Sequence, residues 1–215
     1  ESTGIAFILT SSDRGRFLIE YRGANEYLSP NDLVDDYLEG GDVIHASSVN
    51  PEMALAIGSK AKELGLKASL DLGAELTHLS RPKLLELLNN FDICFMNEET
   101  FESIFNIQPT ELNVLRVLPE DLEVLSVTLG AEGAIAANED EAVSSSSYEV
   151  KVKDTTGAGD AFAAAFNKFL LDGASLQKCV NYGVAEAAIK VQNIGARENL
   201  PTLDELKEFI DRHEK

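Results

Sequence analysis

The chain has 215 residues, of which 44% are hydrophobic, and its formal net charge at pH 7 is −19. This length suits one α/β domain with a sizeable core, so we expect a single domain over residues 1–215. The negative charge argues against a role on nucleic acid or on an anionic membrane, and no apolar run is long enough to span a bilayer. Cys94 and Cys179 show no disulfide framework spacing, which predicts a reducing, cytoplasmic location.

The chain opens with two β-rich runs. GIAFILT and RFLIEY flank the polar turn SSDRG, and this pattern predicts a β-hairpin over Gly4–Tyr21. Helix signals follow, with Ser29 as a possible N-cap, Pro30 at the first helical position and Gly40 at the end. We therefore expect one helix between Ser29 and Gly40.

Strand and helix patterns then alternate along the chain. Strands are predicted at 42–46, 66–72, 91–96 and 123–128, and helices at 51–64, 82–88 and 98–105. This alternation predicts a doubly wound, mostly parallel sheet flanked by helices, and in such sheets ligands bind beyond the carboxyl ends of the strands. Short β pieces at 134–137 and 148–152 flank a serine run at 144–147, interpreted as a hairpin loop, and three helices finish the chain.

The first of these three helices begins in the most informative stretch, which reads DTTGAGDAFAAAFNKFLLDG from Asp154 to Gly173. The N–H groups at a helix start have no partner within the helix, and small residues in front let a phosphate approach them closely. Asp160 at this helix start is either a cap or a catalytic group. The neighbouring glycines and the second acid, Asp154, favour the catalytic interpretation.

The run DTTGAGDAF resembles the C-terminal signature of the ribokinase/PfkB family of carbohydrate kinases. The resemblance implies a ribokinase-like fold in which the hairpin over residues 4–21 is a lid remnant. It also implies that Asp160 activates the acceptor hydroxyl, while Gly157, Ala158 and Gly159 form an anion hole with their backbone N–H groups. In the family a further portion, with a Gly-Gly sugar-binding motif, precedes such a hairpin, so the chain is expected to be truncated at its N-terminal side.

A second loop of the expected site follows the strand at 91–96. By resemblance, Asn97 helps to organise Mg2+ and its waters around the phosphates of ATP. The family has Glu three residues after this Asn, where this chain has Thr100. Glu99, acting through water, or Glu98 is the candidate replacement, although acidic residues are also favourable at a helix start.

A third loop, TLGAEG, follows the strand at 123–128 and resembles the nucleotide loop of the family. There, the Thr and the backbone amides contact the phosphates, and the glycines leave room for ATP. The candidate nucleotide-binding residues of this loop are Thr128, Gly130, Ala131, Glu132 and Gly133, and Gly159 joins them from the signature.

Further candidates concern a monovalent cation and the substrate. Asp154 and Thr156 match positions that help to hold K+ in many relatives, together with carbonyls of a later loop, here around Asn193 and Gly195; Asp154 is otherwise a turn-forming acid. Asn25 is a candidate substrate contact by resemblance. Ser47 is a second candidate because it follows a predicted strand at the expected cleft, where a polar loop is the alternative explanation.

Two other nucleotide-binding classes are excluded, because the chain has no GxxxxGK[ST] motif and GAGDAF lacks the third glycine of the dinucleotide fingerprint. The resemblance implies an ATP- and Mg2+-dependent kinase that phosphorylates a hydroxyl of a sugar, as ribokinase, fructokinase or ketodeoxygluconate kinase does. A nucleoside kinase of the same family and a non-catalytic nucleotide-binding module remain alternatives. Since dimers in the family often form through a β-rich lid, a homodimer is expected.

Overall fold

A computed structural model of the chain describes residues 2–10, 16–73 and 75–213. The strands are β1 (Ile5–Thr10), β2 (Arg16–Tyr21), β3 (Val43–Ser47), β4 (Lys67–Asp71), β5 (Ile93–Asn97), β6 (Val124–Thr128), β7 (Ala134–Ala137) and β8 (Ala142–Ser145). The α-helices are α1 (Asp35–Leu38), α2 (Pro51–Leu64), α3 (Arg81–Leu88), α4 (Glu98–Phe105), α5 (Glu111–Val117), α6 (Ala158–Leu171), α7 (Leu176–Lys190) and α8 (Leu203–His213).

A six-stranded sheet in the order β3-β4-β5-β6-β7-β8 forms the centre of the fold. Strands β3 to β6 are parallel to one another. Strand β7 pairs antiparallel with β6, and β8 pairs antiparallel with β7. The central strand β5 is buried from Ile93 to Met96, as expected where helices cover both faces of a parallel sheet. The predicted mostly parallel sheet is therefore confirmed.

Each face of the sheet carries its own hydrophobic core, because successive side chains of a strand point to opposite faces. Leu70, Met96 and Leu125 pack on the side of α2 to α5. Phe95 lies on the opposite side, under α6, α7 and α8, and its ring centroid is 5.3 Å from that of Phe166 on α6. Within the described ranges, no helix combines the length and the apolar character that crossing a membrane would require.

The predicted single helix between Ser29 and Gly40 is wrong. Ser29 is at the N-cap of a turn, as predicted, and its backbone N–H and hydroxyl donate to Asp32 Oδ2 at 2.8 and 3.0 Å. This turn is a 3₁₀ helix over Pro30–Asp32 only. The backbone is then extended at Val34, with φ −88° and ψ 122°, before the short helix α1 begins.

The hairpin between β7 and β8 forms earlier in the chain than predicted. Asn138 Oδ1 accepts hydrogen bonds from the N–H groups of Asp140 and Glu141 at 3.1 and 2.9 Å, so this side chain closes the turn. Because the return strand starts directly after this turn, Ser144 and Ser145 lie in β8 rather than in a loop. The described residues 148–152 form no strand, contrary to the prediction.

The predicted N-terminal hairpin is present as the antiparallel pair β1–β2, and the predicted turn at 11–15 lies outside the described residues. Cross-strand pairs line up apolar side chains on one face of this hairpin. These side chains, each 50–63% exposed, are Ile5, Phe7, Leu9, Phe17, Ile19 and Tyr21. After β2, the Arg22 guanidinium forms an ion pair with Glu75 and donates to the Ser48 carbonyl at 3.4 Å, which ties the hairpin to the ends of β3 and β4.

Helix α2 depends on the small size of Gly58. A Cβ at this position would lie 2.5 Å from the Asn90 carbonyl oxygen. Overpacking against backbone costs about 1–3 kcal/mol, whereas Ala gains about 1 kcal/mol over Gly in a helix, so we expect Gly58→Ala to lower the free energy of unfolding. Urea denaturation measures this change. The exposed neighbouring substitution Ser59→Ala is the control, and equal loss in both variants would contradict the packing argument.

Candidate active site

A cavity of about 740 Å³ opens at the carboxyl edge of the sheet, between the ends of β4, β5 and β6 and the start of α6. This edge is where parallel α/β sheets bind their ligands. The residues that line the cavity include Asp71, Asn97, Glu99, Thr128, Gly130 and Gly159. The structure thus brings together residues from the three loops that the sequence analysis selected separately.

The start of α6 is shaped by the segment Asp154–Gly159, called here the anion loop. Gly157 is the N-cap and has φ +81°, in the left-handed region that favours glycine. A Cβ on Gly157 would lie 2.5 Å from the carbonyl oxygen of Ala196, so even alanine would not fit. Gly157 therefore has a structural role in the loop, in addition to the predicted role in binding.

The backbone N–H groups of the anion loop are not equivalent. The Ala158 N–H already donates to the Thr155 carbonyl at 3.1 Å. Gly159 and Asp160 lie in the first turn of α6, whose N–H groups have no acceptor within the helix. A Cβ on Gly159 would meet nothing within 4 Å, so this residue borders open space in the cleft. With the positive potential of the helix start, these two N–H groups suit an anion.

Asp160 is exposed in the first turn of α6. Its negative charge raises the pKa of Asp71 and opposes the lowering of the His45 pKa that burial causes. His45 lies on β3 with Nδ1 2.9 Å from Ser69 Oγ. The predicted catalytic carboxylate is thus electrostatically coupled to His45 in the middle of β3 and to Asp71 at the end of β4.

Asp71 was not among the predicted site residues, although its position at the end of a buried strand could have indicated a place in the cleft. It is the last residue of β4 and the register partner of Ser47 on β3. Burial, together with the negative charges of Asp160 and Glu75, raises the pKa of Asp71 to about 6. Ser47, a predicted substrate contact, is therefore next to an acid of the cleft.

The other predicted substrate residue, Asn25, lies in an exposed 3₁₀ helix over Gly23–Tyr27. It follows Arg22, whose ion pair with Glu75 places this segment beside the end of β4. Asn25 is not among the residues that line the 740 Å³ cavity. Its assignment as a substrate contact remains a prediction.

Oxygen-bearing side chains cluster at the end of β5. Asn97 caps α4, because its Oδ1 accepts a hydrogen bond from the Thr100 N–H at 2.8 Å. Glu98 and Glu99 line the cleft, and Thr100, although largely buried, lines it as well. Carboxylate and amide oxygens suit Mg2+, which keeps several waters and needs few protein ligands. The described ranges hold no cluster of three or more His, Cys, Asp or Glu that could bind a metal.

Only part of the loop after β6 faces the cleft. Thr128 is the register partner of Asn97, and Thr128 and Gly130 line the cleft. Glu132 instead lines a separate cavity of about 460 Å³, and Ala131 is exposed. Gly133, with φ +108°, lies against backbone, since a Cβ there would be 1.9 Å from the Ser145 carbonyl oxygen.

The residues predicted to hold a monovalent cation do come together. Asp154 Oδ1 accepts hydrogen bonds from the N–H and the hydroxyl of Thr156 at 2.9 and 2.7 Å, and Oδ2 accepts one from the Gly195 N–H at 2.9 Å. These bonds, led by that from Gly195, hold the pKa of Asp154 well below its usual range. The N–H of Asn193 is bonded to the Lys190 carbonyl at 3.3 Å.

The parallel sheet, the open helix start at its carboxyl edge and the exposed Asp160 define an α/β protein whose candidate anion site has a carboxylate beside it. The chain matches the pfkB family carbohydrate kinase over residues 1–203, and it belongs to this family.

Two characterised relatives and one solved structure place the chain within the family. It is 30% identical over 217 residues to the nucleoside kinase of Methanocaldococcus jannaschii, covering 99% of this chain and 68% of that protein. It is 30% identical over 210 residues to the ribokinase of Lactococcus lactis, covering 96% and 67%. An E. coli protein described as a ribokinase II, solved in complex with ATP and Mg2+, superimposes with a TM-score of 0.83 at 25% identity, covering 99% and 72%. The chain thus spans about two thirds of the length of these relatives.

The raised pKa of Asp71 predicts a pH-dependent stability. The folded state keeps a proton on Asp71 up to about pH 6, whereas the unfolded chain releases it near 3.8, so this group lowers stability as pH rises through that window. At pH 7.5 we expect Asp71→Asn to be more stable than the unsubstituted chain by up to about 3 kcal/mol.

Urea denaturation at pH 4 and at pH 7.5 measures this difference, which should fall to about a fifth of its size at the lower pH. Asp172→Asn, at an exposed position after α6, is the control and should show no such pH dependence. An Asp71→Asn effect of the same size at both pH values would contradict the assignment.

Proposed function

We propose that this chain forms the phosphoryl-transfer part of an ATP-dependent kinase that phosphorylates a hydroxyl group of a sugar. The observation that carries the proposal is the start of α6, where Gly159 lines the cleft and the next residue, Asp160, is exposed in the same first turn. Membership of the pfkB family carbohydrate kinases and similarity to the Lactococcus lactis ribokinase support the same activity.

In the proposed reaction Asp160 accepts the proton of the acceptor hydroxyl. The acceptor oxygen forms a bond to the γ-phosphorus of ATP, the bond from that phosphorus to the β–γ bridging oxygen breaks, and ADP leaves with the electron pair. The N–H groups of Gly159 and Asp160 would stabilise the charge on the transferring group, where pre-aimed donors are most effective. Gly157 would keep these donors in place through its contact with Ala196.

The proposed cofactors are ATP and Mg2+. Asn97 and Glu99 are the proposed residues on the magnesium side, because both line the cleft beside Thr128 and Gly130, the proposed phosphate contacts. The E. coli relative solved with ATP and Mg2+ supports this pair of cofactors. Bound Mg2+ would offset the negative charge of the phosphates in an otherwise acidic cleft.

A nucleoside is the second candidate acceptor. The observation that favours it is the 30% identity to the Methanocaldococcus jannaschii nucleoside kinase. Nucleosides and sugars both present a hydroxyl to the catalytic carboxylate, so Asp160 would have the same role with either. Ser47, beside Asp71 at the end of β3, is the proposed acceptor contact in both cases.

We also propose a reducing, cytoplasmic location and a homodimer. Both cysteines, Cys94 and Cys179, are free and buried, which supports a reducing compartment. The exposed apolar face of the β1–β2 hairpin supports pairing with a second copy, because single-chain proteins rarely leave such a contiguous face in water.

An ATP-consumption assay with a panel of sugars and nucleosides tests the kinase and identifies the acceptor. With the best acceptor, Asp160→Asn is expected to lower kcat by about 100- to 10,000-fold, because a positioned base is lost, while ATP affinity stays nearly unchanged. Asp172→Asn, at the other end of the same helix, should keep full turnover.

Unchanged turnover of the Asp160→Asn variant would overturn the assignment of Asp160 as the base. ATP binding without turnover of any acceptor would instead favour the non-catalytic nucleotide-binding module, for which Thr100 in place of the metal-organising Glu is the supporting feature.

Sedimentation equilibrium tests the homodimer. Phe7 and Phe17 are 59% and 63% exposed in the single chain. If the hairpin face joins two copies, both rings are buried in the dimer, and replacing them by Thr removes this apolar contact. The double variant should therefore shift from dimer to monomer. Leu112→Thr, which changes an apolar side chain exposed elsewhere on the surface, is the control. A monomer before any substitution would contradict the proposal.

A further inference from the structure

Lys190, the last residue of α7, is a wholly buried lysine with a relative exposure of 0%. Its ammonium donates a hydrogen bond to the backbone carbonyl oxygen of Asp154 at 3.1 Å. A buried ammonium is costly unless opposite charge and hydrogen-bond acceptors compensate for the lost water. The position of Lys190 directly behind the anion loop therefore calls for a functional explanation.

The compensating negative charge comes from the Asp154 carboxylate. The hydrogen bonds from Gly195 and Thr156 are the main causes of the low pKa of Asp154, and the positive charge of Lys190 adds to them. Asp154 is thus ionised, with hydrogen bonds to both carboxylate oxygens. The Lys190 ammonium thus contacts the backbone carbonyl of the residue whose carboxylate carries the nearby negative charge.

The segment after α7 is joined to the anion loop by several further bonds. The Val191 carbonyl oxygen accepts from the N–H groups of Lys153 and Asp154 at 2.8 and 3.2 Å. The Ala196 carbonyl then lies directly against Gly157. The Lys190 ammonium sits where these two segments meet, so its position affects the aim of the N–H groups at the start of α6.

The residues around Asp154 do not fit a bound monovalent metal ion. Gly195 directs its N–H at Asp154 Oδ2, and the Thr156 hydroxyl donates to Oδ1. A cation binds oxygen lone pairs, and here three of the roughly four lone-pair sites of the carboxylate accept from protein donors, while the Asp154 carbonyl accepts from an ammonium. The Lys190 ammonium would also repel a cation bound beside Asp154.

We propose that the Lys190 ammonium is the built-in cation of the anion loop and takes the place of a monovalent metal ion, so that the chain works without K+. The proposal rests on the proposed kinase function and revises the expectation of K+ at Asp154, Thr156, Asn193 and Gly195. Lys190 is a positioning residue, because it acts through the loop and does not reach the transferred phosphoryl group.

Salt-exchange measurements on the unsubstituted chain and two variants test this. Turnover and Tm are measured in KCl, in ammonium chloride and in choline chloride at equal ionic strength. The unsubstituted chain should give the same values in all three salts. Lys190→Ala, which leaves space for an ion, should lose about a hundredfold in kcat in choline chloride, as expected when reacting groups are misplaced by about 1 Å.

In KCl or ammonium chloride, Lys190→Ala should regain turnover, and its Tm should rise relative to choline chloride. Lys190→Met fills the same space without a charge and should stay impaired in every salt. A merely structural lysine would give two variants with the same loss and no response to K+.

Two results would overturn the proposal: a rise of turnover or Tm with K+ in the unsubstituted chain, or full turnover of Lys190→Ala in choline chloride. If Lys190→Ala fails to fold, the turnover and Tm of the unsubstituted chain and of Lys190→Arg in the three salts test the proposal. Neither should change with K+. If the unsubstituted chain shows no turnover with any acceptor, the kinase function fails, while the Tm comparison still tests Lys190 by itself.

Discussion

The backbone contact between Gly157 and the carbonyl of Ala196 is the constraint on which the rest of the site depends. It lets the residue before α6 approach the loop after α7 more closely than any side chain would allow. The same two helices pack through Gly183, where a Cβ would lie 2.7 Å from the Phe162 ring. Close approach at both places fixes α6 against α7, and with it the direction in which the first-turn N–H groups point.

A second link joins the N-terminal hairpin to the cleft. The Arg22 guanidinium pairs with Glu75 and reaches the Ser48 carbonyl, so the segment after β2 is held at the ends of β3 and β4. Glu75 is one of the charges that raise the pKa of Asp71. Movement of the hairpin would therefore change the electrostatic environment of the acids at the cleft. This effect acts through Glu75 and does not require a contact between the hairpin strands and Asp160.

Much of this could be predicted from the sequence, because the signals were local. The alternation of strand and helix patterns predicted the parallel sheet, and the anion loop with Asp160 followed from one contiguous stretch. The turn between β7 and β8 is also determined locally, by Asn138. The prediction placed this turn at the serine run instead, because serine runs are typical of loops. Helix α5 was overlooked, although Thr110 caps it by accepting from the Asn113 N–H at 3.3 Å.

Asp71 and Lys190 could not be assigned in the same way. An aspartate at a strand end is ordinary, and its raised pKa arises from burial and from charges that lie far away in sequence. Lys190 reads as one polar residue near the end of a mixed helix, and only the folded chain shows its ammonium beside the Asp154 carbonyl. Features that depend on where two distant segments meet are determined by packing, and no local pattern carries them.

The open start of α6 has a kinetic consequence for a chain with a net charge of −19. The helix start attracts anions only locally, since its effect falls off within the first turn. The overall field of the chain repels a polyanion over longer distances and is screened beyond about 8 Å at physiological salt. If the chain binds a free nucleotide as proposed, the nucleotide meets repulsion first and attraction last, so we expect its association rate to increase with added salt, the opposite of the behaviour of proteins with basic surfaces.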